Sequence, residues 1–204
     1  FCKEFGIIKG LYFSVFHSVS AFCNAGFDLM GGYSGEFSSL TGFADNYVVS
    51  YSICFLIIVG GLGFFVLADL YKHKFKIRRY ALTTKIVLTS TAFLLILGTV
   101  VIAVAEADNK NFENLPLMQR ITAAFFQSTT TRTAGFNTVD LNLLTDASIL
   151  IMIPLMLIGG SPGSTAGGLK TTTITLMLSS IISTFKRKKA VECYKRRISN
   201  DLLL

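Results

Sequence analysis

Threonine and glycine crowd one stretch of a chain that is otherwise 51% hydrophobic. Residues Thr129 to Thr138 read TTTRTAGFNT, and a shorter echo, CNAGFD, runs from Cys23 to Asp28. Neither carries the carboxylate, imidazole or thiol sets of acid–base or metal chemistry. What such a segment offers is backbone. Glycine reaches torsions closed to larger residues and lets carbonyl oxygens crowd round one axis. A cluster of carbonyls can replace the hydration shell of a monovalent cation.

A second polar stretch, GGSPGSTAGG, spans Gly159 to Gly168 and holds five glycines and Pro162. Relative to alanine these disfavour continuous helix by about 8 kcal/mol, so the chain should break there. Ser161, Ser164 and Thr165 can satisfy backbone groups that the break releases. Residues 163–171 also read G-x-x-x-x-G-L-K-T, one residue longer than a phosphate-binding loop and with no strand before it, so a nucleotide site is not expected. Cys2, Cys23, Cys54 and Cys193 lack metal-ligand spacing, and His17 and His73 have no cysteine near them in sequence; unpaired thiols and ordinary histidines are the expectation. The apolar segments contain no paired carboxylates and no Ser-His-Asp set, which leaves a membrane-embedded enzyme as the weaker alternative.

The elements that must hold these loops follow from the apolar runs. Residues 47–70 and 86–105 are each about long enough to span a bilayer, and 147–185 is too long for one straight span. Two shorter helix-like segments, Lys9 to Phe22 and Pro116 to Thr130, reach about half the membrane and precede the two Ala-Gly-Phe loops. Re-entrant half-helices are the expectation; helices lying at the outer interface are the alternative. Phe16 to Phe27 aligns without gaps to Phe125 to Phe136, and IVGGLGF from Ile58 corresponds to LIGGSPG from Leu157. The unit of organisation is therefore a repeat of short helix, glycine loop and long helix. GGLGF, lacking the polar residues, reads as close helix packing. Irregular backbone at membrane depth persists only inside protein or along a watery path, which favours a lined pathway.

Charge sets the sides. The net charge is +7, and thirteen of the nineteen basic residues lie at 72–85 and 186–197, flanking apolar helices. That bias marks cytoplasmic loops rather than a nucleic-acid surface. The connection from Glu106 to Asn114 is acidic and belongs outside, as do the glycine loops. Asp28 and Asp140 can concentrate cations at a mouth or simply be solvated.

The segments SAFCNAGF (Ser20 to Phe27), GGLGF (Gly60 to Phe64), TTTRTAGFNT and GGSPGSTAGGLKTTT (Gly159 to Thr173) together resemble the Trk/Ktr/HKT superfamily of potassium transporters, most closely its Ktr-type translocating subunit. The resemblance implies an all-α membrane protein of repeated outer helix, re-entrant pore helix with filter loop, and inner helix. Residues 1–85 then form a second repeat lacking most of its outer helix, with a cytoplasmic connection. Residues 86–204 form a third repeat with a broken inner helix and a basic tail. It further implies a potassium filter at Gly26 and Gly135, with Asn24, Ala25, Phe27, Thr133, Ala134 and Phe136 supplying backbone carbonyls beside them. Gly159, Gly160, Ser161, Pro162, Gly163, Ser164, Thr165, Ala166, Gly167 and Gly168 match a gating loop. Lys170 can act there as an electrostatic barrier or anchor to carbonyls. Arg132, which would repel a cation, is expected behind the filter, against carbonyls, Asp140 or a group elsewhere. The implied setting is a multi-pass protein of the bacterial plasma membrane, a homodimer on a cytoplasmic ring of nucleotide-binding regulatory proteins, surrounded by lipid, with sodium as a possible coupling ion. Transport of another monovalent cation such as sodium is the alternative.

Overall fold

The computed structural model describes every residue except 37, 75, 110, 111, 113, 114, 188–191, 195 and 198–204. Lys110, Glu113 and Asn114 of the acidic connection, and Lys188, Lys189 and Lys195 of the basic tail, thus lie outside the described residues. In chain order the helices are α1 (Cys2–Phe5), α2 (Ile7–Phe22), α3 (Gly31–Ser34), α4 (Tyr47–Leu62), α5 (Phe64–His73), α6 (Leu82–Ala105), α7 (Leu117–Thr130), α8 (Asp146–Leu157) and α9 (Thr171–Phe185).

α6 has 24 residues, about 36 Å at 1.5 Å each, and is long and apolar enough to cross a membrane. α2 and α7, at 16 and 14 residues, are shorter. α2 begins two residues before the expected Lys9, and Pro116 caps α7 from outside its first turn. Asn46 starts α4 by accepting from the Val49 N–H at 3.2 Å, and Thr145 starts α8 by accepting from the Ser148 N–H at 3.3 Å.

Two expectations need correction. Residues 47–70 are not one straight span: α4 and α5 meet at Gly63 (φ 81°) with a bend of 94°. GGLGF does pack closely, since a Cβ on Gly60 would lie 1.9 Å from the Phe22 carbonyl oxygen, but it is also a break. The basic tail adds a short element that the all-α expectation does not include. A hairpin pairs β1 (Glu192–Cys193) with β2 (Arg196–Arg197), and Tyr194 donates its hydroxyl to Thr89 of α6 at 2.8 Å. The segment 147–185 breaks where the glycines predict, between α8 and α9.

The core joins the two repeat units. Phe13 and Ala21 of α2, Ile53, Cys54 and Ile57 of α4, and Phe126, Ala134 and Phe136 of the second unit form one buried cluster. α6 approaches α7 closely because Gly98 faces Ser128, whose hydroxyl donates to the Leu95 carbonyl at 3.0 Å. At the far end of α6, Glu106 is buried and ties α6 to α8, accepting from the Thr145 N–H at 3.0 Å and the Thr145 hydroxyl at 2.8 Å. Burial favours its neutral form, but hydrogen bonds from Ser148, the Thr145 N–H, Asn109 and the Thr145 hydroxyl outweigh that and hold its carboxyl below the ordinary glutamate range.

Candidate functional site

The two Ala-Gly-Phe loops leave the C-terminal ends of α2 and α7 and repeat each other in backbone as well as in sequence. Asn24 and Thr133, equivalent by the alignment, take φ values of 51° and 72°; Gly26 and Gly135 take 74° and 86°. A side chain is strained in that region, and only a glycine enters it without cost. The loops meet backbone to backbone. A Cβ on Gly26 would lie 2.5 Å from the Ala134 carbonyl oxygen and 3.0 Å from the Gly135 Cα, and one on Gly135 would lie 3.2 Å from the Gly26 Cα.

Each loop is fastened from its helix side. Ser20 donates to the Phe27 carbonyl at 2.8 Å, and Thr130 to the Phe136 carbonyl at 2.6 Å. Those two carbonyls are therefore turned toward hydroxyls. The carbonyls of Asn24, Ala25, Gly26, Thr133, Ala134 and Gly135 accept no hydrogen bond among the described residues. The flanking acids cap their own loops: Asp28 accepts from the Met30 N–H at 2.9 Å, and Asp140 accepts from Asn142 at 2.9 and 3.0 Å.

Arg132 is buried and directed away from the loop carbonyls. One terminal nitrogen donates to the Gly159 carbonyl at 3.2 Å and approaches the Thr91 hydroxyl at 3.5 Å. The expected carbonyl partner is thus found, in the glycine-rich loop, while Asp140 lies elsewhere.

The glycine-rich loop folds back on itself. Ile158 and Leu169 form a parallel bridge, with the Gly159 N–H donating to Leu169 at 3.0 Å, Leu169 to Leu157 at 2.9 Å and Thr171 to Gly160 at 3.1 Å. The two arms nearly touch, since a Cβ on Gly159 would lie 1.7 Å from the Gly167 carbonyl oxygen. Lys170 donates its ammonium to the Ala166 carbonyl at 2.9 Å and so anchors the loop to its own end.

Outside itself, the loop is held at two places. At the α4–α5 bend the Ser161 N–H donates to Gly61 at 3.0 Å, the Ser161 hydroxyl donates to Leu62, and the Phe64 N–H donates to Gly163 at 3.0 Å. The bend and the break, which the sequence alignment makes equivalent, therefore satisfy each other. At the Ala-Gly-Phe loops, the Thr165 hydroxyl donates to the Phe22 carbonyl at 2.9 Å and accepts from the Asn24 side-chain amide at 2.8 Å, while the Gly167 N–H donates to the Thr133 hydroxyl at 3.0 Å.

His17, read from sequence as ordinary, is fully buried and has both ring nitrogens engaged. Nδ1 lies 2.7 Å from the Phe13 carbonyl and so carries the proton, and Nε2 accepts from the Leu29 N–H at 3.3 Å. It braces the chain two residues beyond Phe27. Its equivalent in the other unit is Phe126, also fully buried. The signal available in the sequence was that one position is polar in one repeat and apolar in the other. No cluster of three or more metal-ligating side chains exists among the described residues.

Residues 5–203 match the family described as TrkH, cation transport protein. The chain belongs to the TrkH cation transport family. It is 39% identical over its whole length to the potassium/sodium uptake protein NtpJ of Enterococcus hirae, of which it covers 44%. It is 40% identical over 96% of its length to the Ktr system potassium uptake protein B of Vibrio alginolyticus, of which it covers 42%. The chain thus spans less than half the length of the curated relatives it matches. The crystal structure of the potassium transporter TrkH from Vibrio parahaemolyticus superposes with a TM-score of 0.77 at 17% identity, over 94% of this chain and 40% of that one, a likeness of fold. With a transport family shown, the enzyme alternative falls away.

Proposed function

We propose that this chain supplies two of the pore repeats of a potassium-uptake subunit of the cell membrane, residues 1–85 one and residues 86–204 the next. The ion passes the Asn24–Phe27 and Thr133–Phe136 loops. The observation that carries this reading is the pairing of those loops: equivalent residues share left-handed torsions, six carbonyls accept no hydrogen bond among the described residues, and the glycines meet just beyond the C-terminal ends of α2 and α7. The C-terminal ends of α2 and α7 add partial negative charge at the same place. Phe27 and Phe136 close the loops, with their carbonyls also bonded from behind. Gly159 to Gly168 obstructs the path and moves to open it; its ties to both loops support that role.

The names of the relatives support potassium as cargo, and that of NtpJ admits sodium, as cargo or coupling ion. The name of the Ktr relative supports membership of a multi-component uptake system. We propose two membrane subunits on a cytoplasmic nucleotide-binding regulatory ring, with the Ala-Gly-Phe loops external and, from their charge, the basic segments cytoplasmic. The test is rubidium uptake by the full-length protein in potassium-uptake-deficient bacteria, for wild type, Gly26→Ser and Gly135→Ser, with sodium as competitor. Both substitutions put a side chain on positive-φ backbone, and the first also drives it into Ala134. Loss of uptake or of discrimination against sodium is expected from each. Unchanged uptake and selectivity in both overturns the filter assignment.

A further inference from the structure

Between the two Ala-Gly-Phe loops and the glycine-rich loop lies a cavity of about 10 Å³, walled by Asn24, Ile57, Leu95, Arg132, Gly160 and Ala166 among others. Two of these residues carry a buried polar atom without a hydrogen-bond partner among the described residues: the Asn24 side-chain oxygen, Oδ1, and the Arg132 Nε. Both residues are more than nine-tenths buried, at 9% and 7% exposure. One atom is an acceptor and the other a charged donor, so a single molecule able to donate to the first and accept from the second satisfies both.

The amide orientation is set by chemistry. The Thr165 hydroxyl gives its proton to the Phe22 carbonyl, so toward Asn24 it can only accept. That places the Asn24 nitrogen at Thr165 and leaves Oδ1 for the opposite side. Arg132 is fixed in the same way, because its terminal nitrogen is held by Gly159 and Thr91. A buried donor left unmade costs about 1–3 kcal/mol, and more when charged.

We propose that this cavity binds one water molecule, which donates to Asn24 Oδ1 and accepts from Arg132 Nε. The volume is that of roughly one water, for which about 10–15 Å³ suffices. A hydrated cation is excluded by size and by the guanidinium, and a halide ion could take the Arg132 donor but would face the Asn24 carbonyl oxygen with like polarity. The water joins the loop after α2 to the loop after α7. Gly160 and Ala166 place the glycine-rich loop on the wall of the same site, so withdrawal of that loop exposes the water to solvent and loosens the arginine. The site itself does not depend on the transport reading; only this last consequence does.

The test is a crystal structure of the full-length protein, with bromide replacing chloride, at a resolution that shows ordered water. The expected result is a peak without anomalous signal at roughly 2.7–3.2 Å from both Asn24 Oδ1 and Arg132 Nε. An anomalous peak, a carboxylate from another part of the protein on Nε, or no density overturns the proposal. Asn24→Leu should lose the peak. Thr165→Val, which removes the partner of the amide nitrogen and leaves Oδ1 in place, should keep it; retention in both variants, or loss in both, counts equally against a water held by Oδ1.

Discussion

Replacing Gly159 by alanine tests whether the glycine-rich loop obstructs a path. The new Cβ would sit 1.7 Å from the Gly167 carbonyl oxygen and 2.6 Å from the carbon behind it, both backbone atoms. An ordinary contact requires the two arms to part by about 1.5 Å. The bonds that close the loop, at 3.0 Å from Gly159 to Leu169, 2.9 Å from Leu169 to Leu157 and 3.1 Å from Thr171 to Gly160, then exceed hydrogen-bonding range. At about 0.5–1.5 kcal/mol net for each, the closed loop loses roughly 1.5–4.5 kcal/mol. With 1.4 kcal/mol per factor of ten, the open fraction rises by about one to three orders of magnitude until it saturates. The control is Gly167→Ala, across the same contact. Its Cβ meets only the Thr133 methyl at 3.9 Å, and its flux should match wild type. The assay is initial rubidium uptake in potassium-uptake-deficient cells, normalised to protein in the membrane. Wild-type flux in a well-expressed Gly159→Ala protein, or an equal rise in both variants, refutes obstruction by this loop.

Other substitutions test the supports. Gly60→Ala drives a Cβ into the Phe22 carbonyl at 1.9 Å and should cost about 1–3 kcal/mol of stability, whereas Gly61→Ala meets nothing within 4 Å and should be neutral or slightly stabilising in thermal unfolding of the detergent-solubilised protein. His17→Phe, copying the other repeat, leaves the Leu29 N–H without its acceptor at a cost of about 1–3 kcal/mol and should speed hydrogen exchange there; unchanged exchange would show that the ring does not brace the loop. Thr165→Val removes the link from Phe22 to Asn24 and should raise rubidium flux several-fold without Gly159→Ala's full effect. For Glu106 the folded carboxyl titrates below its ordinary value of 4.5, so its contribution is complete above that value and is lost as pH falls through the lower folded one. Wild type should lose thermal stability from about pH 5 to pH 3 more steeply than Glu106→Gln, which starts lower at pH 7; parallel curves would refute the assignment.

What could be read from the sequence was whatever local composition or repetition encodes. The gap-free alignment of residues 16–27 with 125–136 placed Asn24 opposite Thr133 and Gly26 opposite Gly135, and the torsions repeat in those pairs. The density of glycine between Gly159 and Gly168 located the break between α8 and α9. The bend at Gly63 was not legible, because GGLGF carries no polar residue of its own; its loose backbone groups are met by Ser161 and Gly163, about a hundred residues later. His17 was missed for a related reason, since its acceptor role exists only once the chain beyond Phe27 turns back over α2.

Arg132 shows how far such reasoning reaches. Beside the proposed ion path a cation had to point away from the loop carbonyls, and it does; that its partner is Gly159 depended on where the broken helix came to rest. The consequence is mechanical. The glycine-rich loop cannot withdraw without breaking the hydrogen bonds that the Arg132 guanidinium, the Asn24 amide and the Thr133 hydroxyl make to it. Each such bond is worth about 0.5–1.5 kcal/mol net. On the proposed reading, then, the polar residues of TTTRTAGFNT set how readily the obstruction moves as well as the shape of the loop. Glycines at 159, 160 and 163 let the loop pack closed, and the side chains of residues 24, 132 and 133 set the energetic threshold for leaving that state.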